Sequence, residues 1–160
     1  CTKAHEYVFL LTKSARYFYD NEAIKEKSLG LGVTDIKFGG NKYGDSDDPK
    51  HATKSGNAYT DSGTRNRRSV WTITTKPFKG AHFAVMPMDL VEPCVLAGSK
   101  AGDTVLDPFA GSGTVGVVAL RHDRKFLGVE LNPDYAAIAE ERITNDNPMF
   151  NTVTTERITL

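Results

Sequence analysis

The stretch Asp107-Pro108-Phe109-Ala110-Gly111-Ser112-Gly113-Thr114 constrains this chain more than any other. It follows the short apolar run Thr104-Val105-Leu106, led in by Ala101-Gly102-Asp103. Val115, Val117, Val118 and Leu120 come after it at helical spacing, with Gly116 and Ala119 small enough for close packing. The pattern predicts a buried strand that breaks into a glycine turn and then a helix. A tight turn there needs glycine, which tolerates positive φ and close backbone approach. The amides at the start of the helix can receive a polar or anionic ligand group. Further on, Arg124-Lys125-Phe126-Leu127-Gly128-Val129-Glu130 predicts a second strand that ends in a carboxylate. A glycine turn with an acid at the tip of the next strand is the layout of a site for a nucleoside-bearing cofactor. The turn holds one end and the acid grips the ribose hydroxyls.

Which cofactor is less direct. Gly111-Ser112-Gly113-Thr114-Val115-Gly116 matches the dinucleotide fingerprint, with Glu130 about 20 residues on as that fingerprint asks. A nicotinamide- or flavin-dependent oxidoreductase is therefore one reading. Two features oppose it. Asp107 closes the strand, so a carboxylate points into the place where a pyrophosphate would be repelled; an acid there suits a ligand with an ammonium group, such as the methionine end of S-adenosylmethionine. The fingerprint also lies late in the chain, with one further strand and helix behind it, whereas it usually opens a dinucleotide domain.

The combined order of motifs carries a resemblance. Asp107 to Thr114, followed by Gly128-Val129-Glu130-Leu131-Asn132-Pro133-Asp134-Tyr135, is similar to the DNA amino-methyltransferases that modify an exocyclic amine of adenine or cytosine. Lys79-Gly80-Ala81-His82-Phe83-Ala84, with Pro87 and Leu90, resembles the family's segment upstream of the glycine turn. His5-Glu6-Tyr7-Val8-Phe9 with Lys13 resembles the strand after its catalytic region. The order is that of the β-class, with the catalytic tetrapeptide first, target recognition next and the cofactor motif last.

The resemblance implies an α/β, Rossmann-like S-adenosylmethionine-dependent methyltransferase fold, with an incomplete sheet in this chain. It implies a strand or hairpin of the catalytic half over residues 1–20, a target-recognition insertion over 21–68, and the cofactor-binding half over 69–160. In the site, Asp107 would hold the methionine ammonium through water, and Phe109, Ala110, Gly111, Ser112, Gly113 and Thr114 would cradle the methionine end. Glu130 would bind the ribose diol, Leu131 and Asn132 would lie beside the adenine, and His82, Phe83 and Ala84 would help wall the methionine pocket. Double-stranded DNA is the implied partner, a homodimer is left open, and the expected setting is the cytoplasm, the protein being prokaryotic or phage-encoded. A noncatalytic module on the same scaffold is the third reading.

One departure matters. The family's chemistry rests on an Asp/Asn/Ser-Pro-Pro-aromatic tetrapeptide, and this sequence has none, so no catalytic residue is assigned. Asn132-Pro133-Asp134-Tyr135 imitates it but lacks the second proline. It reads as a helix start, with Asn132 as N-cap, Pro133 at the first helical position and Asp134 in the first turn. The chain opens on Cys1 rather than Met, and the expectation is a fragment whose upstream part carries the tetrapeptide.

Composition agrees. The 160 residues suffice for one core, and no apolar run is long enough to span a bilayer. Cys1 and Cys94 give neither a disulfide framework nor metal spacing, and His5, His51, His82 and His122 have no close pairing, so no metal is expected. Cys94 is expected to be packed in an apolar helix over 88–97, with Gly98 as its end signal and Pro93 kinking or dividing it. Strands are expected at 6–11, with 16–20 as hairpin partner, and at 69–73. Residues 21–68 are rich in Gly, Asp, Asn, Ser and Lys and read as a mobile insertion, with Val33, Ile36, Phe38, Tyr43 and Tyr59 too sparse for a core. Net charge is +0, but Arg65, Arg67 and Arg68 cluster, with Lys76 and Lys79 nearby. The family likeness makes this cluster the candidate phosphate contact.

Overall fold

The computed structural model describes residues 5–28, 63–74 and 85–157. They belong to two compact units, Cys1–Ile24 with Ser69–Leu160, and Lys25–Arg68. The smaller unit contributes an antiparallel pair, β1 (Glu26–Lys27) and β2 (Thr64–Arg65), in which Glu26 lies opposite Arg65. Residues 29–62 of the insertion expected over 21–68, with its sparse apolar residues Val33, Ile36, Phe38, Tyr43 and Tyr59, lie outside the described residues, as do Lys76, Lys79, His82, Phe83 and Ala84.

The larger unit runs α1 (Met88–Gly98), β3 (Thr104–Asp107), α2 (Thr114–Arg121), β4 (Lys125–Gly128) and α3 (Pro133–Asp146). β3 and β4 are parallel, with Thr104 opposite Lys125 and Asp107 opposite Gly128. A parallel pair needs a crossover connection, and α2 supplies it. The strand–turn–helix–strand order predicted from Thr104 to Glu130 is therefore present, and the register brings the end of β3 level with the end of β4.

The core forms where the helices meet one face of this pair. Val91 and Val95 of α1 pack with Val118 of α2, and Met88, Val105 and Val115 close around them. Val117, Ala119, Ala139 and Ile143 are also buried. Gly116 lets α2 approach its neighbours: a Cβ there would lie 2.6 Å from Ile143 Cδ1 and 2.8 Å from the Phe126 ring. The opposite face is bare. Leu106 and Leu127, opposite one another in register, are 58% and 56% exposed. Parallel strands are ordinarily covered on both faces. The predicted buried strand is thus covered on one side only, because helices pack against Val105 and Phe126 and, among the described residues, nothing packs against their neighbours.

Other expectations are corrected. α1 is a single helix despite Pro93, which is buried within it. It ends at Gly98, and Ser99 closes it by donating both its amide (3.1 Å) and its hydroxyl (2.6 Å) to the Val95 carbonyl. Cys94 is exposed on the outer side, its thiol 3.3 Å from the Leu90 carbonyl, because the buried stripe of α1 falls on Val91, Pro93, Val95 and Ala97. Residues 5–20 form no hairpin and 69–73 form no strand. Apolar and aromatic content gives a segment β preference, but a strand also needs a paired neighbour, and none is present among the described residues. Tyr7, Val8, Phe9, Leu10 and Leu11 are accordingly exposed. The end of this segment is tied to the unit by the Asp20 amide, which donates to the Ala97 carbonyl at 2.9 Å.

Candidate cofactor site

β3 stops at Asp107 because the chain folds back on it: Asp107 Oδ1 accepts the Phe109 amide at 3.0 Å. The turn is then wired residue by residue. The Ala110 amide donates to the Val129 carbonyl at 2.9 Å, and the Gly113 amide to the Ala110 carbonyl at 2.8 Å. Gly113 caps α2 at φ 77°, in the left-handed region where a Cβ is unfavourable, and that Cβ would also lie 3.0 Å from the Cβ of Ala139. Glu130, one residue past Val129, spreads its carboxylate over two backbone segments. Oε2 accepts the Gly111 amide and Oε1 the Asn132 amide, each at 2.8 Å. One acid therefore fastens the glycine turn to the entry of α3.

The expectation that the turn offers its amides to a ligand is narrowed by this wiring. The amides of Phe109, Ala110, Gly111 and Gly113 are spent within the protein. The amides at the start of α2, which no preceding helical turn can satisfy, are what the backbone offers a ligand.

A cavity of about 230 Å³ opens beside the turn. It gathers Asp107, Phe109, Ala110, Gly111, Ser112 and Thr114 from the predicted set. Val85 and Met86, directly after the predicted wall His82-Phe83-Ala84, also line it, as do Val115 of α2 and Tyr135 and Ile138 of α3. Gly113, Glu130, Leu131 and Asn132 do not line it. Gly113 is buried beneath it, Glu130 reaches the turn through Gly111, and Leu131 is fully open to solvent. Asn132 is the N-cap of α3, its side chain accepting the Asp134 amide at 2.9 Å, and Pro133 follows as expected of a helix start.

The sequence reading missed Tyr135, Ile138 and Arg142. Their spacing was the available signal, since residues three and four apart share a face of a helix. Arg142 Nη1 donates to Ser112 O at 3.2 Å, Ser112 Oγ at 3.1 Å and Thr114 Oγ1 at 3.0 Å. Burial lowers the Arg142 pKa, with Asp146 acting in the opposite sense and Arg121 adding to the lowering. A second cavity, of about 340 Å³, shares Val85 and Met86 with the first and is also lined by Asp89, Glu92, Arg121, His122 and Arg142. There Arg121 forms a forked ion pair with Asp146, and His122 Nε2 lies 2.9 Å from Glu92. The hydrogen bond from Arg121, then its charge, hold the Asp146 carboxyl below its ordinary range against the opposing effect of burial.

In the smaller unit, Arg65 is ion-paired with Glu26 at 2.8 Å, and Arg68 approaches the same carboxylate at 3.9 Å with most of its side chain exposed. The β1–β2 register produces the first contact. Part of the basic cluster is thus neutralised within the protein. Among the described residues no cluster of His, Cys, Asp and Glu could hold a metal ion, and no helix is long and apolar enough to cross a membrane.

A family model described as DNA methylase matches residues 1–141. The chain belongs to this DNA methylase family. The type II methyltransferase M.Cfr9I of Citrobacter freundii is 44% identical over 146 residues, covering 91% of this chain and 38% of the relative. The type II methyltransferase M.SmaI of Serratia marcescens is 45% identical over 142 residues, covering 89% of this chain and 39% of the relative. This DNA methylase chain therefore spans about two fifths of the length of these relatives. A solved structure of a candidate DNA modification methylase from Thermus thermophilus, complexed with S-adenosyl-L-methionine, shares 50% identity over 40% of this chain and 27% of that one, with a TM-score of 0.39. The PvuII DNA methyltransferase, described as cytosine-N4-specific, shares 36% identity over 41% of this chain and 27% of its own, with a TM-score of 0.36. Family membership rests on the match over residues 1–141, and the sheet of the larger unit consists of β3 and β4 alone among the described residues.

Proposed function

We propose that this chain is the cofactor-binding and target-recognition part of a DNA amino-methyltransferase, which moves a methyl group from S-adenosylmethionine to an exocyclic amine of adenine or cytosine. The observation that carries the reading is one cavity lined by Asp107 together with Phe109, Ala110, Gly111, Ser112 and Thr114. Its residues fit the methionine end of that donor. Asp107 presents a carboxylate for an ammonium group, and the start of α2 presents donors for a carboxylate. Glu130 keeps lone pairs for ribose hydroxyls after accepting its two amides, since an ionised carboxylate has about four acceptor sites. Leu131 and Asn132 would border the adenine, and His82, Phe83 and Ala84 would extend the wall begun by Val85 and Met86.

The donor would supply an electrophilic methyl group on a sulfonium. The acceptor amine is a weak nucleophile because its lone pair is delocalised into the base, and the base must leave the duplex to be reached. This chain's part is to hold and orient, which contributes to rate by fixing the reactants in line. The proton acceptor belongs to the tetrapeptide that the chain lacks. Arg65, Arg67 and Arg68 would contact phosphates, with Arg68 the more open of the pair that meets Glu26. A bacterial cytoplasm, and a homodimeric assembly of the whole enzyme as an open alternative to a monomer, complete the reading. The nicotinamide alternative is disfavoured by Asp107, whose carboxylate lines the cavity where a pyrophosphate would sit.

Titration calorimetry of this chain with S-adenosylhomocysteine and with NAD tests the reading. The expected result is binding of the first and not of the second, and binding of NAD alone would overturn it.

A further inference from the structure

Arg142 Nη1 shares its two hydrogens among three acceptors of the glycine turn, yet the side chain stands outside the cavity that the turn borders. It reaches the turn from behind, from the last half of α3. Its bond to the Ser112 carbonyl and the bond from the Gly113 amide to Ala110 hold the two polar groups of a single peptide unit, so that unit cannot rotate. Its bonds to Ser112 Oγ and Thr114 Oγ1 have a second effect. A guanidinium only donates, so each hydroxyl must accept from it. A hydroxyl that accepts from a fixed cation behind it has its single proton left for an acceptor elsewhere. Ser112 and Thr114 both line the cavity, and Asp107 lines it too.

We propose that Arg142 is a positioning residue that commits the Ser112 and Thr114 hydroxyls to donate towards the carboxylate of the methyl donor's amino-acid end. The proposal deepens the cofactor reading above and rests on it. The chemistry calls for such a device. A ligand carboxylate brought into a cavity that already contains the Asp107 carboxylate meets like charge, and it binds only if donors face it. Two hydroxyls free to rotate could serve either as donors or as acceptors. With Arg142 behind them they are donors, and the partly buried cation adds an attractive potential that solvent screens little. Asp107 then selects the ammonium and the turn selects the carboxylate, so that the pair reads an amino acid rather than an amine.

The test compares S-adenosylmethionine with decarboxylated S-adenosylmethionine, which keeps the sulfonium, the ribose, the adenine and the amine. Affinities are measured by calorimetry on the chain and on Arg142→Ala, Arg142→Lys and the double variant Ser112→Ala with Thr114→Val. The original chain should prefer the carboxylated ligand by about tenfold or more, the scale of one charge-assisted hydrogen bond. Arg142→Ala should reduce that preference by about tenfold, and Arg142→Lys should restore part of it. The double variant, which retains Arg142, should lose the preference to a similar degree, and it decides the matter if Arg142→Ala does not fold. Equal weakening of both ligands in the variants would reduce Arg142 to a structural tie and overturn the proposal, as would an unchanged preference. Failure of the original chain to bind either ligand is a separate outcome, which overturns the cofactor reading and this proposal with it.

Discussion

Glu130 shows how one side chain can belong to the fold and, under the proposed reading, to the site at once. Its carboxylate accepts the amides of Gly111 and Asn132, and its remaining lone pairs are those proposed for a ribose. Glu130→Ala should weaken S-adenosylhomocysteine binding by about 1–3 kcal/mol, the range for lost hydrogen bonds to a charged group. It should also lower the unfolding temperature, because two backbone donors lose their partner. Glu130→Gln separates the effects, since an amide retains one acceptor oxygen for a backbone donor but not the full acceptor set that a diol needs. Calorimetry and thermal unfolding on the same variants would show it. Gly116 belongs to packing alone. Gly116→Ala should destabilise the fold by about 1–2 kcal/mol through overpacking, because its Cβ would press on Ile143, which is buried, and on the Phe126 ring. A denaturant titration with no shift in midpoint would contradict that.

At the scale of elements, α3 does more than pack against α2. Its start is set by Asn132 and Pro133, and Asn132→Ala should cost about 1 kcal/mol of stability, the usual value for a lost N-cap. Its end is tied to the end of α2 by Arg121 and Asp146. Because that contact holds the Asp146 carboxyl below its ordinary range, it stabilises the folded state at neutral pH, where the group is ionised in both states. The contribution is complete above the ordinary carboxylate range and is lost as pH falls through and below it. Asp146→Asn should remove this part of the pH dependence of the unfolding temperature. The stability change at neutral pH should be about 1 kcal/mol or less, since the Arg121 side chain is half exposed and solvent screens the pair. Between these ends, Tyr135, Ile138 and Arg142 meet the glycine turn and its cavity, so one helix carries a cap, a cavity wall and the support of the turn.

For the larger unit as a whole, the dominant feature among the described residues is the bare face of the β3–β4 pair. Val105 packs into the helical core, whereas Leu106 faces outward. Val105→Thr should destabilise by about 1–2 kcal/mol through burial of a hydroxyl in an apolar core. Leu106→Thr should change stability by less than about 0.5 kcal/mol, as surface substitutions do. Equal losses at the two positions, read from denaturant unfolding, would mean that the outer face is covered in solution. Catalysis is a property of the larger protein under the proposed reading. Residues 1–160 alone should therefore show little or no methyl transfer to DNA, and robust turnover in a radiolabel assay would mean that the catalytic groups lie within this chain.

Much of the cofactor unit was legible in the residues. The strand–turn–helix–strand order from Thr104 to Glu130, α1, and the capped start of α3 all depend on near neighbours. They rest on glycine in a turn, proline at a first helical position and the spacing of apolar residues, which act within a few residues whatever the rest of the chain does. Strands at 6–11 and 69–73 depend on a distant partner, and that partner cannot be read from their own composition. Cys94 came out exposed for a related reason, because which stripe of α1 is buried depends on where α2 lies. Helical spacing could place Arg142 on the face of Tyr135 and Ile138, but not its contact with the turn, because 30 residues of chain separate it from Ser112. Local sequence thus determined the turn, its helix and the acid that follows. Only the tertiary structure decided that Glu130 clamps that turn, that Arg142 supports it from behind, and that, among the described residues, one face of the sheet is open, because those facts come from contacts between segments far apart in the chain.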